Sequence, residues 1–335
     1  MSQQDHGTDF GGPRLRVIIQ PDDGFEAVTS LIAEARHSIL VKMFTFTSPV
    51  LMEALLAAVA RGISVRVLLN PRRSSGTRAN DEAFKRLSEG GVACSWTMAF
   101  PVTHEKSMVI DGRLTLIATF NFCDKYFTQT RDYGVVVDDA EIAQEVSECF
   151  EADWESRKFA PSNPRLIWSN ATSRRGVCDI IDDAKHSLIL QHPKFSDVTV
   201  LDRLLHAQDR GVRVKVLCGG RHGISDSDIL DTFSALRSLR RVGVKVNKQR
   251  GLRMHAKLIV ADGQRALVGS MNIDRSAFDL RRELGMIVEG ADLLRPLART
   301  FHSDWEESSR YHAPDPLEEL VAETDHPHDP DLVHE

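Results

Sequence analysis

The chain has 335 residues, of which 42 are Lys or Arg and 48 are Asp or Glu, so its formal net charge is −6. With 42 % hydrophobic and 27 % charged residues, its composition excludes collagen-like, coiled-coil and wholly disordered classes, and its length suits two domains. No apolar run approaches the roughly 20 residues of a membrane span, and the first residues lack the pattern of a secretory signal. The five cysteines form no CxxC pair, which predicts a reducing, cytoplasmic setting without a disulfide framework or zinc site.

Predicted strands and helices alternate from the start of the chain. Residues 15–19, 38–46 and 63–69 are rich in aliphatic and β-branched side chains and are predicted strands. The segments between them place apolar residues at intervals of three or four and are predicted amphipathic helices. Residues 70–77 then form a loop rich in Pro, Arg, Ser and Gly. Strand–helix alternation predicts the α/β fold class, with a mixed sheet flanked by helices.

The second half of the chain repeats the first half. Residues 61–68 recur as residues 210–217, and the pattern Phe-x-x-Asp-Trp-Glu occurs at residues 150–155 and again at residues 301–306. Because the offset stays at 149 to 151 residues, these matches predict two tandem, pseudo-symmetric copies of one unit.

We place the first copy at residues 14–160 and the second at residues 165–310, on either side of the boundary sequence Pro161-Ser162-Asn163-Pro164. Residues 311–335 contain eight acidic residues and no Lys or Arg, which predicts a disordered acidic tail. Without this tail the chain has 42 basic and 40 acidic residues, so its body is slightly cationic. Removal of the tail is therefore expected to strengthen binding to anionic vesicles or DNA.

Polar residues with a common spacing occur in both copies. Each copy holds a His-x-Lys pair followed by an Asp and an Asn, namely His104, Lys106, Asp111 and Asn121 in the first and His255, Lys257, Asp262 and Asn272 in the second. Residues i and i+2 of a strand face the same side, so each imidazole is expected beside an ammonium group. With the hydroxyls of Thr119 and Ser270, such clusters would donate to phosphate oxygens beside a nucleophile or acid that works near neutral pH.

Each copy also has a carboxylate 28 residues after its histidine, Asp132 in the first and Glu283 in the second. A carboxylate that accepts the Nδ1 proton would set the tautomer of the imidazole and leave Nε2 for chemistry. A single His-x-Lys pair would favour a surface strand with two solvated polar residues. Two copies with matched Asp, Asn and acidic partners favour a catalytic site.

The doubled His-x-Lys-x4-Asp pattern resembles the phospholipase D superfamily over about residues 14–310. The segment Asn272-Ile273-Asp274-Arg275-Ser276 is similar to its cardiolipin synthase and phosphatidyltransferase branch, whereas Ala118-Thr119 stands where Gly-Ser is usual. The resemblance implies two tandem pseudo-symmetric phospholipase D-like repeats, each a mixed sheet flanked by helices. It also implies one active site shared at their interface, with no metal and no other cofactor.

The same resemblance implies that one histidine attacks phosphorus, forming a phosphohistidine, while the other protonates the leaving oxygen. By analogy, His104 is expected to be the nucleophile and His255 the acid and base, and the pseudo-symmetry leaves the reverse order open. Asp111 and Asp262 are expected to be structural. The groups expected to hold the phosphoryl oxygens are Lys106, Lys257, Asn121, Asn272, Ser270 and Thr119.

The segments that precede the two histidines differ in polarity. The first is apolar and contains Trp96 and Phe100, whereas the second is basic and contains Lys248, Arg250 and Arg253. We call these five residues the substrate lip, because an apolar side and a cationic side would suit a phospholipid. Trp96 and Phe100 fit the core of an edge strand equally well.

The sequence therefore predicts an enzyme that acts on phospholipid phosphodiesters, by hydrolysis or phosphatidyl transfer, bound peripherally to a membrane surface. The alternative is a nuclease of the same superfamily, with basic residues on backbone phosphates and aromatic residues stacked on bases. A third hypothesis is a non-catalytic scaffold that binds phosphate or membranes. No obligate protein partner is evident.

Overall fold

Two similar halves make up the computed structural model, which describes residues 14–221, 224 and 226–314. The strands of the first half are β1 (Arg14–Gln20), β2 (Ser38–Met43), β3 (Ser64–Leu69), β4 (Ala93–Trp96), β5 (Val102–Thr103), β6 (Lys106–Ile110), β7 (Leu114–Ala118) and β8 (Thr130–Asp138). Its helices are α1 (Glu26–Glu34), α2 (Pro49–Ala60), α3 (Asp81–Glu89) and α4 (Ala140–Trp154), with a 3₁₀ turn at Asp124–Phe127. From residue 315 onward the predicted acidic tail lies outside the described residues.

The second half follows the same order. Its strands are β9 (Leu166–Trp168), β10 (Ser187–Gln191), β11 (Arg213–Cys218), β12 (Lys245–Lys248), β13 (Arg253–Met254), β14 (Leu258–Ala261), β15 (Arg265–Gly269), β16 (Arg281–Arg282), β17 (Leu284–Glu289) and β18 (Ser309–Arg310). Its helices are α5 (Ser173–Asp183), α6 (Val198–Asp209), α7 (Asp226–Arg241), α8 (Arg275–Asp279) and α9 (Ala291–Glu307). The predicted boundary at residues 161–164 lies between α4 and β9.

Each half is built around one mixed sheet. The strand order is β1-β8-β7-β6-β2-β3-β4 in the first half and β18-β12-β11-β10-β14-β15-β17-β9 in the second. β2 is parallel to β3 and antiparallel to β6, and β10 stands in the same relation to β11 and β14. This arrangement confirms the predicted α/β fold class with two pseudo-symmetric repeats. No helix within the described ranges is long and apolar enough to cross a membrane.

Strand β2 is shorter than the sequence predicts, and polar side chains explain the difference. Asn80 Nδ2 donates to the carbonyl of Phe44 at 2.8 Å, and Asn80 Oδ1 accepts from the amide of Phe46 at 2.8 Å. Asn121 Oδ1 accepts from the amide of Thr45 at 3.2 Å. These side-chain amide groups bond to the backbone of residues 44–46, where a neighbouring strand would otherwise pair. The hydrogen-bond ladder of β2 therefore ends at Met43, although apolar residues continue beyond it.

Three apolar clusters form the core. One lies within each repeat, and the third is shared by both, with Ile117 and Val135 from the first repeat and Leu258 and Val268 from the second. Burial of apolar area, worth about 25 cal/mol per Å², therefore joins the two repeats as well as stabilising each.

Two short strands are exchanged between the repeats. β13 of the second repeat pairs in parallel with β8 of the first, and β16 pairs in parallel with β5. The two exchanges are equivalent under the pseudo-two-fold relation of the halves. They bring the segment before each histidine against the opposite repeat.

The motif aspartates tie hairpin turns to neighbouring strands. Asp111 and Asp262 adopt φ values of 52° and 54°, and each is followed by a glycine with positive φ, which such a turn requires. Asp111 accepts hydrogen bonds from the amides of residues 36–38 at 2.7–2.9 Å, and Asp262 accepts from those of residues 185–187 at 2.7–2.8 Å. Their carboxylates are thereby used within the scaffold.

Candidate active site

The two histidines stand directly after the exchanged strands. His104 follows β5, and its amide donates to the carbonyl of Arg282 at 2.8 Å. His255 follows β13, and its amide donates to the carbonyl of Arg131 at 3.4 Å. Each histidine is therefore positioned by the backbone of the repeat to which it does not belong.

The acidic partners are exchanged as well. His104 Nδ1 lies 2.9 Å from Glu283 Oε2, and His255 Nδ1 lies 2.6 Å from Asp132 Oδ1. All four side chains are buried. A carboxylate that accepts the Nδ1 proton leaves the lone pair on Nε2 for chemistry.

Both motif lysines lie against their histidines. Lys106 Nζ donates to the carbonyl of His104 at 2.7 Å, and Lys257 Nζ donates to that of His255 at 2.7 Å. Lys257 Nζ also lies 2.9 Å from His255 Nε2, whereas His104 Nε2 is buried without a hydrogen-bond partner among the described residues. Burial and the charge of Lys106 hold the pKa of Lys257 well below its usual value.

Burial also governs the two imidazoles. It lowers the pKa of His255 to about 3 against the opposing effect of Asp132, and with the charge of Lys106 it lowers that of His104 well below 6.5. Both rings are therefore neutral at neutral pH in this structure. An anion between them would raise both pKa values, because an opposite charge nearby favours the protonated form.

The two acids differ in their surroundings. Burial raises the pKa of Glu283 to about 7. Burial acts in the same direction on Asp132, but contact with His255 and a hydrogen bond from Thr119 bring the pKa of Asp132 below its usual value. Thr119 and Thr130 donate to its two oxygens at 2.5 and 2.6 Å. One acid is thus held ionised by donors, while the other can take a proton near neutrality.

The two motif hydroxyls bond within the protein, and their contact with phosphate stays a prediction. Thr119 Oγ1 donates to Asp132 and accepts from the amide of Tyr133 at 2.8 Å. Ser270 Oγ accepts from the amide of Leu284 at 3.1 Å and donates to the carbonyl of the same residue at 3.3 Å, while Glu283 Oε1 is buried without a hydrogen-bond partner among the described residues. The hydroxyl of Thr119 therefore supports a carboxylate, whereas that of Ser270 bonds to the backbone of β17.

The two asparagines are both buried but are engaged differently. Asn121 Oδ1 accepts from the amide of Thr45, as described above. Asn272 Oδ1 is buried and has no hydrogen-bond partner among the described residues. Asn272 Oδ1 can therefore accept a hydrogen bond from a ligand, whereas Nδ2 is the atom that could donate to a phosphate oxygen.

The apolar half of the substrate lip does not form one surface. Trp96 lies in edge strand β4 and stacks on Phe84 of α3 with ring centroids 4.3 Å apart, as the core interpretation expects. Phe100 instead lies under the guanidinium of Arg282, 4.3 Å from its ring centroid, in a pocket of about 350 Å³. Packing of α3 against β4 is what separates the two rings.

The basic half of the substrate lip does come together. Lys248, Arg250 and Arg253 line one pocket of about 240 Å³ that extends to Met254. This pocket adjoins His255, the next residue in the chain. The structure therefore places a cationic surface beside His255.

Two buried ion pairs behind the site were missed from the sequence. Arg131, next to Asp132, forms a bidentate pair with Asp304 at 2.9 and 3.0 Å. Arg282, next to Glu283, forms a bidentate pair with Asp153 at 2.7 and 3.1 Å. Both pairs cross between the repeats. The signals were present, because an arginine precedes each acid and the two aspartates belong to the repeated Phe-x-x-Asp-Trp-Glu pattern.

A third buried group could hold a metal by its composition. The ligand atoms of Glu105, Cys149 and Asp153 lie within 4.8 Å of one another. The ammonium group of Lys42 lies among them, 2.8 Å from Asp153, 3.1 Å from Glu105 and 3.2 Å from the sulfur of Cys149. The cation these groups face is thus a lysine of the chain itself.

Known proteins share the sequence pattern of this chain. The family model described as "Cardiolipin synthase, PLD-like domain" matches residues 28–154 and 177–305. Cardiolipin synthase 1 of Staphylococcus epidermidis is 24 % identical over 332 residues, which cover 85 % of this chain and 66 % of that protein. Cardiolipin synthase B of Escherichia coli is 25 % identical, with 83 % of this chain and 76 % of that protein covered. The chain thus spans about two thirds of the length of the first relative.

Solved structures show the same fold. A phosphatidylserine synthase of Haemophilus influenzae superimposes with a TM-score of 0.70 at 14 % identity, over 91 % of this chain and 89 % of that chain. A polyphosphate kinase of Porphyromonas gingivalis gives 0.69 at 15 % identity, over 88 % of this chain and 47 % of that chain. Since the family model covers both repeats, this chain belongs to the phospholipase D superfamily, in the cardiolipin synthase-like family.

Proposed function

We propose that the chain is a phospholipid phosphodiesterase that transfers the phosphatidyl group to water or to an alcohol. The observation that carries this proposal is the pair of buried histidines, each with Nδ1 on a carboxylate of the opposite repeat. The cardiolipin synthases among its relatives, together with a phosphatidylserine synthase of the same fold, support a phospholipid substrate.

In the first step, His104 is the nucleophile. The lone pair on its unoccupied Nε2 attacks phosphorus, a P–N bond forms, and the P–O bond to the leaving alcohol breaks. Glu283 stabilises the positive charge that develops on the ring. The leaving oxygen takes its proton from Nε2 of His255, whose pKa rises when the anionic phosphodiester binds.

In the second step, the direction of proton transfer reverses. Neutral His255 accepts the proton of water or of an acceptor alcohol, the new P–O bond forms, and the P–N bond to His104 breaks. Asp132 holds the proton on Nδ1 of His255 throughout. Lys106, Lys257, Asn121 and Asn272 hold the phosphoryl oxygens, which carry more negative charge in the transition state.

The substrate reaches the site from a membrane surface in this proposal. Lys248, Arg250 and Arg253, which share one pocket beside His255, would bind the anionic head-group region. Electrostatic attraction of this kind contributes about 1 kcal/mol for each basic residue near an anionic leaflet.

The test offers the purified full chain phosphatidylglycerol, phosphatidylcholine and single-stranded DNA in parallel, each with EDTA. We expect phosphatidate or a transesterified phospholipid from the lipids, no DNA cleavage, and no product from the His104→Ala control. Added glycerol or ethanol separates transfer from hydrolysis, since transfer places the added alcohol in the lipid product. Cleavage of DNA alone would establish the nuclease alternative, and loss of lipid turnover with EDTA would refute the metal-independent steps.

A further inference from the structure

Arg281 is a largely buried cation beside the site and forms no ion pair with any of the described residues. It lies in β16, and its side chain shares a face with Glu283, because residues i and i+2 of a strand point the same way. Arg282, between them, points to the opposite side and pairs with Asp153. The alternation of one short strand thus separates a paired arginine from an unpaired one.

The described residues do not satisfy all the hydrogen-bond donors of the Arg281 guanidinium. The residue is only 8 % exposed, yet its Nη1 is buried with no hydrogen-bond partner among the described residues. Arg131 and Arg282, which are buried to a similar degree, both have bidentate aspartate partners. Asp274 and Glu283 lie near enough for the charge of Arg281 to favour their ionised forms, but neither forms an ion pair with it among the described residues. A largely buried charge without a contacting partner is unfavourable, so we expect an anion to complete this site.

The charge of Arg281 is felt at the reacting groups. It contributes to the lowered pKa of His104 and of Asp274 and opposes the raised pKa of Glu283. His104 Nε2 and Asn272 Oδ1 are also buried without hydrogen-bond partners among the described residues.

The other side lacks this cation. The residue equivalent to Arg281 in the first repeat is Thr130, whose hydroxyl donates to Asp132 at 2.6 Å. Thr130 is therefore used by the acid that orients His255, whereas Arg281 makes no such bond to Glu283. Of these two equivalent positions, only the one occupied by Arg281 carries a positive charge.

We propose that Arg281 is a further phosphate-binding residue, which binds a non-bridging oxygen of the phosphodiester beside His104. This inference rests on the proposed function for the identity of the reacting group. The ligand class is any phosphate oxyanion that enters the site, whether it belongs to a lipid or to a small phosphodiester. With the phosphoryl group seated there, the guanidinium neutralises the charge that grows on its oxygens as the P–N bond forms.

The test measures anion binding apart from lipid turnover. Inorganic phosphate is titrated into the full chain while the melting temperature is followed, for wild type, R281M, R281K and the matched control R275M. Arg275 is 86 % exposed on α8, so R275M removes the same charge from the surface. We expect R281M to weaken phosphate binding about 10- to 100-fold, R281K to weaken it less, and R275M to leave it unchanged.

Two further measurements distinguish phosphate binding by Arg281 from a purely structural role of this residue. Without phosphate, R281M should melt at the wild-type temperature or above it, because it removes a buried unpaired charge. Hydrolysis of bis(p-nitrophenyl) phosphate should lose a similar factor in kcat/KM. The pH below which this hydrolysis is lost should be higher in R281M, because removal of the positive charge of Arg281 raises the pKa of His104. Lys106, Lys257, His255 and Glu283 still surround His104 in that variant.

Unchanged phosphate affinity in R281M would overturn the inference, as would a loss of affinity accompanied by a lower melting temperature of the phosphate-free protein. These outcomes are independent of the lipid assay. If no phospholipid is turned over but R281M still loses phosphate binding, the proposed function fails and the role of Arg281 stands. If lipids are turned over and R281M binds phosphate normally, the proposed function stands and the role of Arg281 fails.

Discussion

The two halves of the site share one backbone arrangement and differ in what surrounds each acid. Asp132 receives hydrogen bonds from Thr119 and Thr130, so it stays ionised beside His255. Glu283 has Arg281 in the place of Thr130, and burial raises its pKa to about 7. Pseudo-symmetry thus sets the geometry of both histidines, while the neighbours of the acids give each histidine its own chemistry.

A second difference lies behind the site. In the first repeat, Asp153 pairs with both Arg282 and Lys42, and Glu105 also contacts Lys42. In the second, Asp304 pairs with Arg131 and accepts a hydrogen bond from the neutral Gln191. Asp153, which lies behind Glu283, therefore balances more buried positive charge than Asp304, which lies behind Asp132.

The largest expected effect comes from the histidines themselves. His104→Ala and His255→Ala should each lower turnover by at least about 10⁴-fold, because each removes a group that changes covalent or proton bonding. A bis(p-nitrophenyl) phosphate burst experiment distinguishes them, since this leaving group needs little protonation. H255A should release one equivalent of nitrophenol and then stop, whereas H104A should release none. A burst in H104A alone would reverse the two roles.

The acids should differ in pH dependence more than in rate. Glu283 must be ionised to accept the Nδ1 proton, so wild-type activity should rise with pH through about 7. E283Q and D132N should each lower kcat about 10²- to 10⁴-fold. The rise near pH 7 should vanish in E283Q and persist in D132N, as measured by kcat against pH. Its persistence in E283Q would assign the titration to another group.

The supporting pairs should differ in stability. D153A leaves Arg282 and Lys42 without a carboxylate that both contact, and it should lower the free energy of unfolding by about 3–5 kcal/mol. D304A should cost less, because Arg131 keeps Asp22 at 2.9 Å. Urea unfolding measures both, with the exposed pair variant E155A as a control expected below about 1 kcal/mol. Equal losses for D153A and D304A would contradict this comparison.

The motif aspartates should show the smallest effect and no difference between repeats. D111A and D262A each remove an acceptor of three backbone amides with nearly identical distances. Each should lower the free energy of unfolding by about 1–3 kcal/mol, with kcat of the folded enzyme unchanged. A large loss of kcat in either variant, measured below its melting temperature, would place the aspartates in the chemistry.

The local pattern of apolar residues and the internal repeat were sufficient to predict the architecture. Apolar periodicity predicted the strands at residues 15–19 and 63–69, which the structure places at Arg14–Gln20 and Ser64–Leu69. The constant offset of the repeats predicted the doubled sheet. Strand β2 was the exception, since Asn80 and Asn121 act from distant positions and leave no trace in local periodicity.

The sequence by itself determined which residue types the site contains and that they occur twice. Only the tertiary structure decided that Glu283 serves His104 and Asp132 serves His255, because spacing is the same whether an acid stays in its repeat or crosses. It also decided that Thr119 contacts a carboxylate, and that Nη1 of Arg281 is buried without a hydrogen-bond partner among the described residues. Such pairings depend on how two sheets pack and which short strands they exchange, and these long-range contacts have no period along the chain.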